Sequence, residues 1–289
     1  MRPYRTLVFG LLFSFCIQNA TAFQKVSKFD QLITISTTFG EMKVVLFDDT
    51  PLHKENFLSL TKEGYYDSLL FHRVINDFMI QTGDPNSRNA KPGQRLGSGG
   101  PSERIPAEIL PKYFHKKGAL AAARKGDRVN PNRSSSGSQF YIVKGKVSEV
   151  SEISRPDMVA VNEAMNTLFR NSPDHALIKL CRDAYSKGGN TALEALVKER
   201  ATEFEEAIGI SVTIPQERIE AYSTIGGAPH LDDQYTVFGQ VIVGLEVIDK
   251  IASVSVNPAN RPVEDIVMSV SVKLLKRKKI TKLYGYAYD

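Results

Sequence analysis

The sequence predicts a mainly β fold: a closed antiparallel barrel capped by two helices, with a helical segment inserted in the second half of the chain. Three observations lead to this prediction. Many short segments alternate apolar and polar residues between Gly, Pro, Asn and Asp turns, which is typical of antiparallel strands. Only two helical stretches lie among these segments, and numerous short strands with few helices suit a barrel. Between Gly145 and Ser223 the apolar period changes from two to three or four, which indicates amphipathic helices.

The strands and the capping helices can be placed along the chain. The first two strands alternate around Phe39-Gly40-Glu41, which predicts an opening hairpin. Thr50 and Pro51 are suited to the N-cap and first position of a helix, and Gly64 to its end. Strands are expected at 31–36, 42–47, 69–74, 78–82, 105–109, 118–123, 139–144, 236–241 and 265–275, and the second helix at 245–251.

The inserted segment is expected to divide the chain into two structural parts. Pro173 and Gly188-Gly189-Asn190 separate its periodic stretches, so two or three helices are predicted. The resulting organisation is a discontinuous barrel over 23–147 and 223–289, with the helical insertion over 148–222.

The N-terminus has the anatomy of a secretory signal peptide. Arg2 and Arg5 precede an apolar stretch over 7–17, and Ala20-Thr21-Ala22 suits cleavage. The apolar stretch is too short to span a bilayer comfortably. We therefore expect residues 1–22 to be removed, leaving a periplasmic or secreted protein with no stable membrane insertion.

Charge and cysteine content limit the function classes. The chain has 37 Lys and Arg against 32 Asp and Glu, a net charge of +5, and loss of Arg2 and Arg5 leaves +3. The one dense basic run, Lys276-Arg277-Lys278-Lys279, is expected to be a solvated strand end and tail, so no nucleic-acid partner is predicted. Without the leader, Cys181 is the only cysteine, which excludes an intramolecular disulfide. The histidines lack ligand spacing, so no metal or other cofactor is expected.

Residues 71–84, FHRVINDFMIQTGD, place one cation and one amide among large apolar side chains. Arg73 and Gln81 would border an apolar surface, where electrostatic and hydrogen-bond interactions are stronger than in water. Such a surface suits a ligand that carries an apolar ring beside an amide.

This segment and three later ones resemble, in the right order, the signature blocks of the cyclophilin family of peptidyl-prolyl cis/trans isomerases. The resemblance covers roughly residues 30–147 and 223–278, and Gly99-Gly100-Pro101 and Ile105-Pro106-Ala107-Glu108 are similar to the bacterial branch. It implies the family's eight-stranded barrel. The three later blocks are 118–123, 136–142 and 235–241.

The resemblance also implies roles for individual residues. Arg73 would donate to the prolyl nitrogen or to the proline's carbonyl, and Gln81 would hydrogen bond the substrate backbone, which makes these two the expected catalytic residues. His72 is expected to be a structural strand histidine satisfied by a hydrogen bond. The expected substrate-binding residues are Phe78, Met79, Tyr141 and Leu231 around the proline ring, main-chain groups of Ala123 and Arg124, the side chain of Gln139, and His230 and Tyr235.

Three of these positions depart from the common pattern of the family. His230 stands where many eukaryotic members carry a tryptophan, and Tyr235 stands where those members often have histidine. Arg124 replaces a common asparagine at a position that the family uses mainly through its backbone.

Two functions of different classes follow. The first is an isomerase that speeds X-Pro rotation in exported or envelope proteins while they fold, acting on proline-containing polypeptides as a monomer. The alternative is a proline-peptide binding module or holdase chaperone whose helical insertion captures clients, with Met158 and Met165 as an adaptable apolar surface. Under a simpler hypothesis those methionines pack the insertion onto the barrel.

Overall fold

The structure is a computed structural model that describes residues 27–156 and 158–288. The predicted signal peptide, 1–22, lies outside these residues. Within them, no helix has both the length and the apolar character that crossing a bilayer requires.

Nine strands and eight α-helices make up the described part of the chain. The strands are β1 (Phe29–Thr37), β2 (Gly40–Leu46), β3 (Leu69–Leu70), β4 (Arg73–Ile75), β5 (Met79–Thr82), β6 (Ala119–Ala122), β7 (Phe140–Val143), β8 (Val237–Val243) and β9 (Val267–Lys276). The helices are α1 (Pro51–Lys62), α2 (Val150–Ile153), α3 (Met158–Asn171), α4 (Ala176–Glu199), α5 (Ala201–Ile208), α6 (Gln216–Thr224), α7 (Leu245–Ala252) and α8 (Arg277–Tyr284), and short 3₁₀ turns lie at Pro85–Ser87 and Pro229–Leu231.

All strands belong to one antiparallel sheet with the order β3-β9-β1-β2-β8-β6-β7-β5-β4. The predicted opening hairpin is confirmed, with Thr37 opposite Gly40 at its tip. The helix predicted from Pro51 is α1, and Gly64 follows its end with a φ of 68°. The apolar face of the sheet, together with α1 and α7, encloses the main core.

The closed eight-stranded barrel is not confirmed. The expected strand at 69–74 bends at Phe71 and His72, so it forms two strands, β3 and β4, at opposite edges of a nine-stranded curled sheet. The Phe71 N–H donates to the Ile266 carbonyl at 3.0 Å, on the β9 side, and the His72 N–H donates to the Gln81 carbonyl at 3.1 Å, on the β5 side. One chain segment therefore passes from one edge of the sheet to the other.

Two local predictions are wrong. Residues 105–109 form no strand, because Ile105 makes only a single bridge with Ser135 and the next residue, Pro106, has no N–H to donate. The basic run at the C-terminus begins at the end of β9, as predicted, but the predicted tail is a helix, α8. Its Ile280 is fully buried beside Leu32, while the lysines remain exposed.

The insertion contains five α-helices, α2 to α6, in its described residues, more than the two or three predicted. Helices α3, α4 and α5 enclose a core of their own that includes Phe204, and α4 is kinked at Gly188 and Gly189. Met158 and Met165 pack against this core, so they join the inserted helices to one another and not to the barrel.

The two ends of the insertion meet beside the barrel. The Lys146 N–H donates to the Gly227 carbonyl at 3.2 Å, and the Gly227 N–H donates to the Lys146 carbonyl at 3.1 Å. A Cβ on Gly145 would lie 2.3 Å from Gly227, which leaves no room for a side chain at this crossing. Next to it, α6 buries Tyr222 against Phe114 of the barrel.

Candidate functional site

The register of the sheet places the predicted catalytic residues in one row. Arg73 of β4 lies opposite Gln81 of β5, Gln81 lies opposite Tyr141 of β7, and Tyr141 lies opposite Ala121 of β6. Residues that face each other across a ladder project on the same side of a sheet. The alternate residues point into the main core, for example Ile80, so the row lies on the outer face.

The same alternation extends the site along each strand. Met79 and Gln139 lie two residues from Gln81 and Tyr141, and therefore share their face. The outer face borders a cleft of about 680 Å³. The predicted site residues that line this cleft are Arg73, Phe78, Met79, Gln81, Ala123, Arg124, Tyr141, Leu231 and Tyr235.

Arg73 carries its charge into this cleft without an ion-pair partner in the described residues. Its Nη1 donates to Gln81 Oε1 at 3.0 Å. Burial lowers the pKa of Arg73 from its ordinary value, but an arginine remains protonated in a protein. The result is a partly desolvated cation that a ligand can approach.

A chain of amides orients that cation. Gln81 Nε2 donates to Gln139 Oε1 at 3.1 Å, and Gln139 Nε2 donates to the Gly99 carbonyl at 2.7 Å. These bonds define which way each amide faces, so the Gln81 oxygen is directed at Arg73. Gln139 does not line the cleft, and its contribution is to hold Gln81.

Main-chain groups of Ala123 were predicted to contact the substrate, and both of them make hydrogen bonds within the fold. The Ala123 N–H donates to the Gln139 carbonyl at 3.0 Å, and the Ala123 carbonyl accepts from the Ser136 N–H at 2.7 Å. The Ala123 N–H is therefore used within the fold, and its carbonyl already accepts one hydrogen bond. The Arg124 main-chain groups show no such bond in the described part of the chain, so they can receive a peptide.

The side chains of Arg124 and His230 each contact an aromatic ring that lines the cleft. The Arg124 guanidinium lies 4.3 Å from the centre of the Tyr235 ring, and its Nε donates to the Gln234 carbonyl at 2.9 Å. His230 is exposed outside the cleft, with its ring centre 5.1 Å from that of Phe78. Both residues border the site through these rings.

Sequence reasoning missed the far half of the cleft, which two loops supply. Arg261 is buried there, and its Nη1 donates to the Lys91 and Gln94 carbonyls at 3.0 Å each, while Nη2 pairs with Asp265 at 2.8 Å. It thus ties the loop at 91–97 to the loop at 257–261. Neither loop has a periodic pattern, so the sequence held no signal for it.

His72 is buried, as a structural histidine would be, but the hydrogen bond predicted for it is not found. Its ring lines the cleft and is 3% exposed, yet both ring nitrogens lack a hydrogen-bond partner in the described residues. Burial lowers the pKa of His72 to about 4, so the ring is neutral at neutral pH.

No group of three or more His, Cys, Asp or Glu side chains that could hold a metal ion occurs within 27–156 or 158–288. The cleft instead offers a cation, an amide and apolar walls. Fold and site together define a β-sheet protein with a cleft that suits a ligand carrying an apolar ring next to an amide.

Comparisons with known proteins identify this class more closely. The family described as "Cyclophilin type peptidyl-prolyl cis-trans isomerase/CLD" matches residues 32–168 and 215–272. A protein of Staphylococcus epidermidis strain RP62A, named as a peptidyl-prolyl cis-trans isomerase, is 32% identical over 240 residues, which cover 82% of this chain and 88% of that protein. The chain belongs to the cyclophilin-type peptidyl-prolyl cis-trans isomerase family.

Further relatives differ in length and similarity. A Streptococcus pyogenes serotype M6 protein, named as a bifunctional phosphatase/peptidyl-prolyl cis-trans isomerase, is 31% identical over 242 residues, and the match spans 82% of this chain but only 37% of that protein. Among solved structures, a cyclophilin-type isomerase of Cryptosporidium parvum has 21% identity and a TM-score of 0.47, covering 85% of this chain and 98% of that one.

Proposed function

We propose that this protein accelerates cis/trans isomerisation of X-Pro peptide bonds in polypeptides, without a cofactor. The observation that carries this proposal is the Arg73 guanidinium, held by Gln81 at 3.0 Å beside an apolar pocket and free of any carboxylate in the described residues. Membership of the family supports the same activity.

The chemistry requires no nucleophile, acid, base or metal. Amide resonance gives the X-Pro bond a rotational barrier of roughly 18–20 kcal/mol. Rotation removes that resonance, so the transition state has a prolyl nitrogen with a localised lone pair. A catalyst must therefore bind the twisted amide better than the planar one.

Arg73 supplies this preference. A guanidinium N–H directed at the prolyl nitrogen, or at the proline's carbonyl, stabilises the localised electrons of the twisted state more than the delocalised ones. Lowering the barrier by about 5–6 kcal/mol accelerates rotation by roughly four decades. The low polarity of the walls strengthens this interaction, because water does not screen it fully.

The remaining residues hold the substrate. The pyrrolidine ring would lie among Met79, Tyr141 and Leu231, which pack together on the outer face of the sheet. The second amide hydrogen of Gln81 and the main chain of Arg124 would bind the flanking peptide. Gln81 thus both orients Arg73 and contacts the substrate.

The alternative function, a holdase with the insertion as its client site, has less support than isomerisation. Met158 and Met165, the residues proposed to bind clients, are partly buried against the core of the insertion. We therefore propose isomerisation as the principal activity.

We also propose that the clients are exported or envelope proteins, on the strength of the N-terminal segment alone. Fractionation of cells that produce the full chain, followed by N-terminal sequencing, tests this. A mature chain outside the cytoplasm that starts after Ala22 is the expected result, and an uncleaved cytoplasmic chain would contradict it.

The test of the activity is re-equilibration of a short Xaa-Pro peptide, measured by exchange spectroscopy. The wild type should accelerate it, and Arg73→Ala should lower kcat by about two decades, the usual effect of removing one such donor. Arg170→Ala, an exposed arginine on α3, is the matched control and should retain full activity. Equal rates for wild type and Arg73→Ala would refute the mechanism.

A further inference from the structure

The wall of the proline pocket rests on a buried carboxylate. Asp232 directly follows Leu231, one of the wall residues, and only 9% of its side chain is exposed. A buried carboxylate is costly unless hydrogen-bond donors surround it. Its partners therefore determine where this part of the wall lies.

On the cleft side, Asp232 connects to Tyr141 through His115. Asp232 Oδ1 accepts from the His115 main-chain N–H and from its ring Nδ1, both at 2.9 Å. His115 Nε2 lies 3.0 Å from the Tyr141 hydroxyl, and the ring is fully buried. A carboxylate can only accept, so Nδ1 carries a proton, and Nε2 is hydrogen bonded to the Tyr141 hydroxyl.

On the other side, Asp232 connects to α6 of the insertion. Its Oδ2 accepts from the Tyr222 hydroxyl at 2.6 Å and lies 3.3 Å from Arg218 Nη1. Arg218 also donates to the Asp233 carboxylate at 3.0 Å. Burial and the charge of Asp232 raise the pKa of Tyr222, so its hydroxyl remains a donor.

The helix has little freedom to move away from this network. Tyr222 is 1% exposed and Arg218 is 7% exposed. A Cβ on Gly227 would lie 2.4 Å from the Tyr222 ring, so the backbone at the neck of the insertion packs directly on that ring. A fully satisfied buried network of this kind holds its members in one arrangement.

We propose that Arg218 and Tyr222 of α6 are positioning residues for isomerisation, which act through Asp232 and His115 to hold Leu231 and Tyr141 against the proline ring. This inference rests on the proposed function of the same cleft. It gives the last helix of the insertion a role in substrate binding, although none of its residues lines the cleft.

The expected effect is on binding more than on turnover. An apolar wall contacts the pyrrolidine in both the planar and the twisted state of the substrate. Loosening the wall therefore weakens the binding of both states nearly equally. Such uniform losses raise KM and leave kcat almost unchanged, whereas loss of Arg73 lowers kcat.

The first experiment compares Tyr222→Phe with wild type. Removing one hydrogen bond to the buried carboxylate should raise KM, and the Kd for a short Xaa-Pro peptide measured by calorimetry, about fivefold or more, with kcat within about twofold. Tyr185→Phe is the matched control, because this tyrosine of α4 is 57% exposed, and it should leave both constants unchanged. Unchanged KM and Kd in Tyr222→Phe would overturn the inference.

The second experiment tests the connection through His115 by a double-mutant cycle. Tyr141→Phe removes the hydroxyl at the other end of the network. If both hydroxyls act through Asp232, the double variant should raise Kd by less than the product of the two single effects. A Kd that equals this product would show independent effects and refute the inference.

Two further measurements distinguish failure of this inference from misfolding of a variant and from failure of the proposed function. If Tyr222→Phe does not fold, as judged by circular dichroism, Arg218→Gln replaces it in both experiments under the same criteria. If the wild type binds the peptide but does not accelerate its isomerisation, the proposed function fails, while the Kd values still decide whether α6 positions the wall.

Discussion

The Arg73 guanidinium and the Gln81 side-chain oxygen face each other across the β4–β5 ladder, and a hydrogen bond of 3.0 Å joins them. This hydrogen bond restricts the position of the guanidinium. An arginine side chain has several rotatable bonds and would otherwise sample many positions. Gln139 in turn holds Gln81. The cation is thus preorganised by uncharged partners that leave its charge available.

Replacing Gln81 should therefore impair catalysis although it carries no charge. We expect Gln81→Ala to lower kcat/KM about tenfold, since hydrogen bonds to charged groups contribute about 1.5–3 kcal/mol. Gln81→Glu should lower it further, because the carboxylate would pair with Arg73 and compete with the substrate. The measurement is the peptide isomerisation assay, with the exposed Gln216→Ala as control. Full activity in Gln81→Glu would show that Arg73 need not be free of a carboxylate.

Truncating the pocket wall should weaken peptide binding. Leu231 is 8% exposed and packs with Met79 and Tyr141. Loss of most of its apolar contact should cost about 2 kcal/mol, so we expect Leu231→Ala to raise the Kd for an Xaa-Pro peptide about 10- to 30-fold. Leu283→Ala on α8, where the leucine is 54% exposed, should bind like wild type. Titration calorimetry measures both variants. Equal affinities of Leu231→Ala and wild type would mean that the proline ring does not contact Leu231.

Buried His72 should make stability depend on pH. Its pKa is about 4 in the folded protein because burial disfavours the charged ring, against an ordinary value of 6.5. Between these values the unfolded chain binds a proton that the folded protein does not, so the free energy of unfolding falls as pH decreases from 6.5 towards 4. The full difference is about 3 kcal/mol.

Urea unfolding at pH 7 and pH 5 measures this dependence. We expect the wild type to be less stable at pH 5, and His72→Phe to lose less stability over the same interval. Part of the dependence should persist, because burial also lowers the pKa of His53. An identical loss of stability in wild type and His72→Phe would mean that His72 is protonated to the same extent in the folded and the unfolded protein.

The separate core of α3, α4 and α5 should uncouple the distal insertion from catalysis. Phe204 and Phe57 are both at most 2% exposed, but Phe204 lies in the core of the insertion and Phe57 in the main core. Truncation to alanine should cost about 3–5 kcal/mol locally in each case. We expect Phe204→Ala to melt the distal helices and spare peptide isomerisation at 25 °C, whereas Phe57→Ala should impair it. Circular dichroism and the peptide assay together test this, and loss of activity in Phe204→Ala would contradict it.

Periodicity and turn chemistry predicted most of the elements that build the site. Residues 78–82 and 139–144 are short apolar runs rich in β-branched and aromatic side chains, so the strands that carry Gln81 and Tyr141 were predictable from the sequence. The register that brings Arg73, Gln81 and Tyr141 into one row could be inferred only through the family resemblance, because pairing between distant strands leaves no local signal.

Tertiary contacts explain the failures. Main-chain groups of Ala123 were expected to contact a substrate, but the return of the chain at Ser136 and Gln139 already hydrogen bonds its N–H and its carbonyl. The partnerless ring of His72 and the loop tether of Arg261 likewise depend on which segments fold over them. The number of inserted helices was underestimated, since short helices such as α2 are too brief to show a period.

The paired hydrogen bonds between Lys146 and Gly227 have a consequence for how this chain could have diversified. They hold the two ends of the 80 residues between them, 147–226, at neighbouring points of the fold. The strands on either side are therefore connected as closely as they would be by a short turn. Helices α3 to α5 could be exchanged, shortened or replaced by an unrelated module without altering any strand register. Helices α2 and α6, which pack with Phe114 of the barrel through Ile153 and Tyr222, would have to be retained.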